Sequence, residues 1–292
     1  MTLTPPPLSN DCFALPQGVD WTPVDDALAL LRDRLGPVTG AERVALAEAL
    51  GRVLAEDAVA LRSNPPQPNT AVDGYGFAGG RDDGAHMLPL IAGRAAAGVP
   101  FDGVVPEGQA IRILTGAALP EGVDTVILEE DVRTDGGQIA FNGPLKQGAN
   151  TRKAGEDVTA GEVILPMGRV VTPADLALAS ATGLSQLVVR KPLRVAVVST
   201  GDELVEPGQQ AGVGQIYDAN RPMLLALMRQ FGFEAVDMGR IADDREALRS
   251  ALDDAAERAD VILTSGGASA GDEDHVSALL RDAGAMQEWR IA

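Results

Sequence analysis

The fold is decided by residues 193–203, which read LRVAVVSTGDE. The first seven residues form a short, largely apolar run rich in Val, which is typical of a strand buried on both faces of a parallel sheet. A polar turn follows at once, in which Gly201 lies between the hydroxyl of Thr200 and the carboxylates of Asp202 and Glu203. Because such a strand must be covered on both faces, we expect helices around it in the sequence.

The chain beyond this turn alternates between helical and strand patterns. A strand that is followed by a helix and then by another strand predicts a parallel sheet with right-handed crossovers. The predicted elements are a helix capped by Asn220 and running to about Phe231, a strand over Glu234–Gly239, a helix from a capping box of Asp243 and Glu246 to about Arg258, a strand over Val261–Thr264, a helix over His275–Asp282 and a strand over Glu288–Ile291.

The sequence before residue 193 follows a different pattern, with few helices and many short strands. Residues 1–20 form a Pro-rich lead, and Thr22-Pro23 predicts a helix that ends at Gly36. A short second helix is predicted over Val44–Leu50, and another begins at Thr172-Pro173 and ends at Gly183. Strands are predicted between Gly-rich and Pro-rich turns over Arg52–Val59, Met87–Ala92, Ala110–Thr115, Thr125–Glu129, Gln138–Phe141, Glu162–Pro166 and Leu187–Arg190.

These patterns predict an α/β plus β-rich fold. We expect a lead over 1–20, a linking helical and β-rich domain made of 21–51 and 145–180, an inserted β-rich domain over 52–144, and an open α/β domain over 181–292. An α/β domain does not normally stop on a strand, so we expect that the sequence lacks the C-terminal end of that domain.

Composition limits the partners. The chain has 292 residues, 45% of them hydrophobic, which suggests about two domains with a sizeable core. It carries 24 basic and 42 acidic residues, a net charge of −18, so we expect no nucleic acid and no anionic membrane as partner. A single cysteine, Cys12, excludes a disulfide framework within one chain, and no apolar run is long enough to span a bilayer. The N-terminus lacks a signal-peptide pattern, so we expect a cytoplasmic protein.

Two turns predict a phosphate and metal edge. Ligands of open parallel sheets bind beyond the carboxyl ends of the strands, where Gly201, Gly266 and Gly267 allow close approach of backbone N–H groups. Carboxylates beside a phosphate repel it unless a hard cation such as Mg²⁺ lies between them. The alternative is that these are ordinary turns whose acids cap helices. The acids at this edge are Asp202, Glu203, Asp272 and Asp274.

Other motifs are ambiguous by themselves. By itself Asp73-Gly74 favours a plain hairpin turn, and the basic pair Arg152-Lys153 fits either a phosphate contact or a solvated turn. No dinucleotide or P-loop signature is present. His86 and His275 are far apart in the sequence and have no cysteine partners, which argues against zinc.

Taken in order, six segments resemble the MoeA family of molybdopterin molybdenumtransferases and the E domain of gephyrin, over nearly all of residues 20–292. The segments are Asn69–Tyr75 (NTAVDGY), Arg112–Ala117 (RILTGA), Arg152–Asp157 (RKAGED), Ser199–Leu204 (STGDEL), Gln215–Arg221 (QIYDANR) and Thr264–Asp272 (TSGGASAGD).

This resemblance implies an elongated homodimer with a MogA-like open α/β domain and inserted β-rich domains, its cleft formed by domains of both subunits. It implies insertion of molybdate into adenylylated molybdopterin with release of AMP and help from Mg²⁺. It also implies that six positions match the family's acidic and hydroxyl active-site residues. These are Asp73, Thr115, Asp157, Glu203, Asp243 and Asp274.

The resemblance and the chemistry together give each residue an expected role. Asp73, Thr115, Asp157 and Glu203 are the candidate catalytic residues, and Glu203, Asp243 and Asp274 are candidate ligands of Mg²⁺. Candidate ligand-binding residues are Thr200, Gly201, Asp218, Asn220, Ser265, Gly266, Gly267 and Ser269.

The sequence also departs from the family pattern. Val72 stands where the family usually has Met, and His275 stands where it usually has Tyr. The family continues past this point with a lysine-bearing segment and a further β-rich domain, which again leads us to expect a fragment.

Two other functions remain open. A gephyrin-like scaffold would need a long linker to a second enzyme domain, and residues 1–20 are short for that. A molybdopterin adenylyltransferase resembles only the α/β half, and the β-rich residues 40–170 argue against it. Such an adenylyltransferase is instead a candidate partner.

Overall fold

The computed structural model describes residues 21–267, 275–284 and 290–291. Its α-helices are α1 (Val24–Arg34), α2 (Pro173–Ala181), α3 (Asn220–Gln230), α4 (Arg245–Arg258) and α5 (His275–Ala283), and short 3₁₀ turns cover Leu46–Glu48 and Glu129–Asp131.

Nineteen strands lie within the described residues. In chain order they are β1 (Trp21–Thr22), β2 (Ala41–Ala45), β3 (Ala58–Val59), β4 (Asn69–Thr70), β5 (Gly74–Phe77), β6 (Arg81–Ala95), β7 (Ala110–Ile113), β8 (Thr125–Leu128), β9 (Arg133–Thr134), β10 (Gln138–Leu145), β11 (Thr151–Arg152), β12 (Val163–Leu165), β13 (Gln186–Arg190), β14 (Arg194–Thr200), β15 (Leu204–Val205), β16 (Ile216–Tyr217), β17 (Glu234–Ile241), β18 (Val261–Ser265) and β19 (Arg290–Ile291).

The described residues fall into two compact units. The β-rich unit is Ala41–Arg190, and the α/β unit joins the described residues up to Gly40 to those from Lys191 onward. No helix in the described part of the chain is long and apolar enough to cross a membrane. The finer division of the β-rich unit into an inserted and a linking domain stays a prediction.

The α/β unit is built on the strand that the sequence predicts. β14 lies between β17 and β18, and both neighbours run parallel to it. Its residues Val195–Val198 are buried, because Ala196 packs with Ala255 of α4 and Val198 packs with side chains of α4 and α5. The continuous apolar run is therefore explained by neighbours on both edges and helices over the sheet.

Two predicted ends of the α/β unit differ from the structure. Within the described residues the last strand covers Arg290–Ile291, and it pairs with β1 rather than with the three-stranded sheet, while the predicted strand residues 288 and 289 lie outside the described residues. In α1, the side chain of Thr22 makes no capping hydrogen bond, and the helix stops at Arg34 because Leu35 is already extended.

The β-rich unit contains a six-stranded sheet in the order β8-β5-β7-β6-β10-β9. β6 is 15 residues long and pairs antiparallel with β10 and parallel with β7. Phe77 and Phe141 stack in its core with ring centroids 5.5 Å apart. Three short ladders, β11-β4, β12-β3 and β13-β2, complete the unit.

Two predictions in this unit are wrong. Val44–Leu50 is no α-helix: Ala41–Ala45 is a strand whose alternating exposure places Val44 toward the core, and it pairs along its whole length with β13. Long-range pairing outweighs the local apolar spacing here. Of the strand predicted over Arg52–Val59, only Ala58–Val59 forms, since Val53 and Leu54 make isolated bridges.

The predicted start of α2 is confirmed. The hydroxyl of Thr172 accepts from the N–H of Asp175, and the carboxylate of Asp175 accepts from the N–H of Thr172. The guanidinium of Arg169 donates to the same carboxylate at 2.9 Å. That hydrogen bond, with those from Thr172, lowers the pKa of Asp175 to about 2 against the opposing effect of burial.

We predict that Asp175→Asn destabilises the protein at pH 7 by about 2 kcal/mol. Because the pKa is lower in the folded than in the unfolded state, this contribution is present above pH 3.8 and is lost as the pH falls toward 2. Urea unfolding from pH 7 to pH 3 measures it. Glu121→Gln, which removes an exposed charge from the same unit, is the control. An equal effect at all pH values would contradict the prediction.

Candidate functional site

Three loops that carry predicted site residues meet at one edge of the α/β sheet. β14 leads into residues 200–203, β17 leads into Asp243, and β18 leads into Gly266 and Gly267. Since the three strands are adjacent and parallel, their carboxyl ends lie together. The predicted position of both glycine turns at one sheet edge is confirmed.

Asp243 joins two of these loops. Its Oδ1 accepts from the hydroxyl of Thr200 at 2.7 Å, and its Oδ2 accepts from the N–H of Asp202 at 3.1 Å. The N–H of Asp243 donates in return to Oδ1 of Asp202 at 3.2 Å. The predicted capping box is wrong in this respect, because Asp244 caps α4 by accepting from the N–H of Ala247. The carboxylate of Asp243 is thereby fixed at the sheet edge.

Glu203 folds back over the turn. A Cβ atom at Gly201 would lie 2.6 Å from Oε2 of Glu203, and Gly201 has a φ of +150°. A side chain at position 201 would displace this carboxylate, and the positive φ also favours glycine there. The guanidinium of Arg240 donates to the carbonyl of Gly201 at 3.2 Å, so a cation that the motifs did not single out borders the acidic turn.

The two glycines after β18 have a packing role as well as a predicted ligand role. A Cβ at Gly266 would lie 2.4 Å from the carbonyl oxygen of Thr200, and one at Gly267 would lie 2.4 Å from Cγ2 of Val276. Both have positive φ values, +99° and +68°. The turn is therefore pressed against β14 and α5, which keeps its backbone close to Thr200.

Asn220 and Ser265, two predicted ligand-binding residues, touch. The Nδ2 of Asn220 donates to Oγ of Ser265 at 3.0 Å. Ala219, rather than Asn220, is the N-cap of α3, and it provides no side-chain cap. The Asn220 side chain therefore links the start of α3 to the end of β18.

Arg221 is the residue that sequence reasoning missed. Its guanidinium, in a residue 9% exposed, donates to both oxygens of Asp237 at 2.8 and 2.7 Å, to Asp218 at 3.1 Å, and to Glu206. An arginine in the first turn of a helix interacts unfavourably with the helix dipole. That unfavourable position was the signal in the sequence that Arg221 must be paired with acids.

Asp218 is buried beside this arginine. Burial acts to raise its pKa but is outweighed by hydrogen bonds from the backbone N–H and the guanidinium of Arg221, so the pKa is lowered. Asp218 therefore stays ionised as an anchor of the segment that follows Glu203. Its contact with a ligand stays a prediction.

The predicted metal ligands are only partly described. No three His, Cys, Asp or Glu side chains within the described residues are grouped as a metal site. Asp274 lies outside those residues, and so does the predicted ligand-binding residue Ser269. The oxygen donors of Glu203 and Asp243 are of the kind that Mg²⁺ prefers, and Asp243 is held in place by two donors. The residues present thus fit a hard cation.

In the β-rich unit, the structure brings Asp73 and Thr115 together. The Oδ1 of Asp73 accepts from both the N–H and the hydroxyl of Thr115, each at 2.6 Å. These two bonds, the hydroxyl's first, lower the pKa of Asp73, with a smaller contribution from the charge of Arg112. The carboxylate of Asp73 is therefore held against the turn that contains Thr115.

Asp73-Gly74 is not a hairpin turn. β4 before it pairs with β11, whereas β5 after it pairs with β7 and β8. A Cβ at Gly74 would lie 1.8 Å from the carbonyl oxygen of Ile127. The glycine is required by the close approach of neighbouring strands, so the hairpin interpretation is wrong.

Asp157 lies in a second polar cluster of the same unit. It accepts from Nη2 of Arg152 at 2.5 Å and from Nδ2 of Asn64 at 3.4 Å. Arg152 also donates to Glu156, and these bonds, that with Asp157 first, raise the pKa of the guanidinium. Of the basic pair Arg152-Lys153, the arginine is therefore already paired with the neighbouring acids Glu156 and Asp157.

Comparison with known proteins decides the family. Residues 22–183 match the MoeA N-terminal region (domain I and II), and residues 196–291 match the probable molybdopterin binding domain. The chain belongs to the MoeA family. This confirms the predicted family and the predicted α/β plus β-rich fold, and it places the chain among the transferases of molybdenum cofactor biosynthesis.

Individual relatives of this MoeA-family chain agree. The molybdopterin molybdenumtransferase of Haemophilus influenzae is 38% identical over 271 residues, which are 92% of this chain and 67% of that protein. Molybdopterin molybdenumtransferase 2 of Mycobacterium tuberculosis is 40% identical over 235 residues, 78% of this chain and 57% of its own length.

A solved structure of the molybdopterin biosynthesis moeA protein from Pyrococcus horikoshii OT3 has a TM-score of 0.76 and 34% identity, covering 85% of this chain and 67% of that one. The chain spans 57% to 67% of the length of these three proteins.

We predict that Arg221→Met destabilises the protein by about 3 kcal/mol, because it leaves the carboxylates of Asp218, Asp237 and Glu206 without their shared cation. Urea unfolding measures the loss. Arg229→Met, at an exposed position on the same helix, is the matched control and should change stability by less than about 0.5 kcal/mol. Equal effects of the two substitutions would show that Arg221 anchors nothing.

Proposed function

We propose that this chain inserts molybdate into adenylylated molybdopterin, with release of AMP and dependence on Mg²⁺. The observation that supports this most is the set of hydrogen bonds that joins Thr200, Asp202 and Asp243 beside the glycine turns. The chain that carries it is a member of the MoeA family. These hydrogen bonds orient carboxylate oxygens that can ligate a metal ion, and the backbone N–H groups of the glycine turns lie at the same sheet edge.

We assign Glu203, Asp243 and Asp274 to Mg²⁺. The bound cation would neutralise charge on the phosphates as the phosphoanhydride is cleaved. The protein positions the carboxylate oxygens of Asp243 before the cation binds, because the hydroxyl of Thr200 and the N–H of Asp202 both donate to them. Preorganised groups of this kind need no rearrangement during the reaction.

The glycine turns would bind the phosphorylated ligand. N–H groups of a turn in positive-φ conformation form concavities that suit anions, and Gly201, Gly266 and Gly267 all have positive φ. In this proposal the remaining ligand contacts come from Thr200, Asp218, Asn220, Ser265 and Ser269.

Of molybdate and water, Asp73, Thr115 and Asp157 would orient the water. Because the hydroxyl proton of Thr115 is donated to Asp73, its oxygen presents lone pairs to whatever lies beside it. That arrangement accepts a hydrogen bond from water and so fixes its orientation.

The remaining partners follow from the family. We propose that the chain acts as a homodimer in the cytoplasm and that a molybdopterin adenylyltransferase supplies its substrate. The chemistry requires such a supplier, because the adenylyl group must be attached before it can leave as AMP.

We expect Glu203→Gln and Asp243→Asn each to lower the Mg²⁺-dependent rate about a hundredfold without unfolding the protein. Purified protein is mixed with adenylylated molybdopterin, molybdate and Mg²⁺, and AMP release and cofactor transfer to an apo-enzyme are followed. Glu246→Gln, an exposed acid at the start of α4, is the control.

Absence of AMP release by the unsubstituted protein would overturn the proposed function. Unchanged rates in both variants would overturn the metal assignment while leaving the transfer reaction in place.

A further inference from the structure

Arg112 of β7 is not among the candidate site residues, yet its side chain makes three contacts. Nη2 donates to the carboxylate of Glu129, and Nη1 donates to the carbonyl of Gly74 in a long hydrogen bond of 3.4 Å. The guanidinium carbon lies 5.1 Å from the centroid of the Tyr75 ring, which is within the range of a cation–π contact. The planar guanidinium is thus used on two of its edges and on one face.

These contacts reach across three neighbouring strands. β5 lies between β7 and β8, with Tyr75 opposite Arg112 on one side and opposite Ile127 on the other. Side chains of directly opposed residues project from the same face of a sheet, so the guanidinium passes over the Tyr75 ring. It ends at Glu129, which directly follows β8. The ion pair therefore ties the strand on one side of β5 to the segment on its other side.

The segments that the ion pair joins also hold Asp73. This residue directly precedes β5, and its carbonyl accepts from the N–H of Glu129 at 3.1 Å. Thr115 lies three residues after Arg112, and its N–H and hydroxyl both donate to the carboxylate of Asp73 at 2.6 Å. The backbone of Asp73 is thus held from one segment and its side chain from the other. A shift between the two segments would lengthen the hydrogen bonds to Thr115.

Charge acts in the same direction. The hydrogen bonds from Thr115 contribute most to the lowered pKa of Asp73, and the positive charge of Arg112 lowers it further. Without Arg112, the carboxylate of Glu129 would add an uncompensated negative charge to the end of the sheet that carries Asp73. Arg112 therefore supports both the geometry and the ionised state of Asp73.

We propose that Arg112 is a positioning residue, which holds Asp73 and Thr115 at hydrogen-bonding distance by joining the segments on either side of β5. An ordinary, partly exposed ion pair adds little to stability. The loss of Arg112 should therefore be felt in the bonds between Asp73 and Thr115 more than in the stability of the whole unit. That these bonds serve to orient water during molybdate transfer rests on the proposed function.

Amide NMR spectroscopy tests the positioning without the reaction. The N–H of Thr115 donates to a carboxylate at 2.6 Å, so its proton signal should lie downfield and exchange slowly with solvent. In Arg112→Gln we expect the signal to move upfield and the proton to exchange at least about tenfold faster, because the hydrogen bond is weakened.

Arg52→Gln is the matched control. Arg52 also pairs with a glutamate, Glu42, and donates to a backbone carbonyl in the same β-rich unit, and its side chain is 21% exposed against 23% for Arg112. It should leave the Thr115 signal unchanged. Equal changes in the two variants, or no change in Arg112→Gln, overturn the proposal.

Glu129→Gln removes the same ion pair from its exposed side, so the test survives if Arg112→Gln does not fold. It should move the Thr115 signal in the same direction, because Arg112 is then no longer tied to the segment after β8. An unchanged Thr115 signal in Glu129→Gln would show that the ion pair positions nothing.

AMP release tests the use of this position in the reaction. We expect Arg112→Gln to lower kcat about tenfold to a hundredfold and to leave KM for adenylylated molybdopterin within about twofold, since Arg112 acts through Asp73 and Thr115. In Thr115→Val, which already lacks the hydroxyl, adding Arg112→Gln should lower kcat much less than it does alone. Losses that multiply in the double variant would show that Arg112 acts independently of the pair, and would overturn the positioning role.

The two measurements separate this inference from the proposed function. If the unsubstituted protein releases no AMP, the proposed function is overturned, and the Thr115 signal alone decides whether Arg112 holds the pair together. If the protein does release AMP, and Arg112→Gln releases it as fast as Arg52→Gln, the proposed function stands and the role of Arg112 in it is overturned.

Discussion

The pairing of β14 with a parallel strand on each side is the constraint on which the α/β unit depends. A strand with both edges hydrogen-bonded and both faces buried has no freedom to slip, since one residue of shift would exchange its two faces. Its carboxyl end is therefore fixed relative to the ends of β17 and β18. The contacts among Thr200, Asp243 and Gly266 exist only because those three ends are held at the same level.

Charge explains why this edge is built from carboxylates and glycines. The most buried arginine nearby, Arg221, is already shared by Asp218, Asp237 and Glu206, so it has no capacity left for an anionic ligand. Arg240 is directed to the carbonyl of Gly201. An anion at this edge must therefore be met by backbone N–H groups or by a cation held by Asp243 and Glu203.

Local patterns predicted the parts of the fold whose signals are local. The apolar run of β14, its glycine turn and the capping box of α2 were visible in the sequence and are present. Val44 was misassigned because its strand exists only through pairing with β13, about 140 residues later in the chain. Asp243 and Asp244 are adjacent acids, and local spacing does not decide which one caps α4.

The same limit applies to the candidate site. The motifs named Asp73 and Thr115 separately, and the hydrogen bonds between them depend on β5 and β7 being neighbours. Arg221 lies within a recognised motif, but its role depends on three carboxylates from separate segments, one of them in β17, which only the fold brings around it.

The two units share one local arrangement that limits their chemistry. In each, a threonine hydroxyl donates to an aspartate, Thr115 to Asp73 at 2.6 Å and Thr200 to Asp243 at 2.7 Å, and the same aspartate also accepts a backbone N–H. The hydroxyl protons are thus already used, and both pairs present only acceptors to a ligand. Acceptors attract a cation, a water molecule or an N–H group and repel an oxyanion. Oxyanions must therefore be bound by other groups, and in the α/β unit the backbone N–H groups of the glycine turns are placed to bind them.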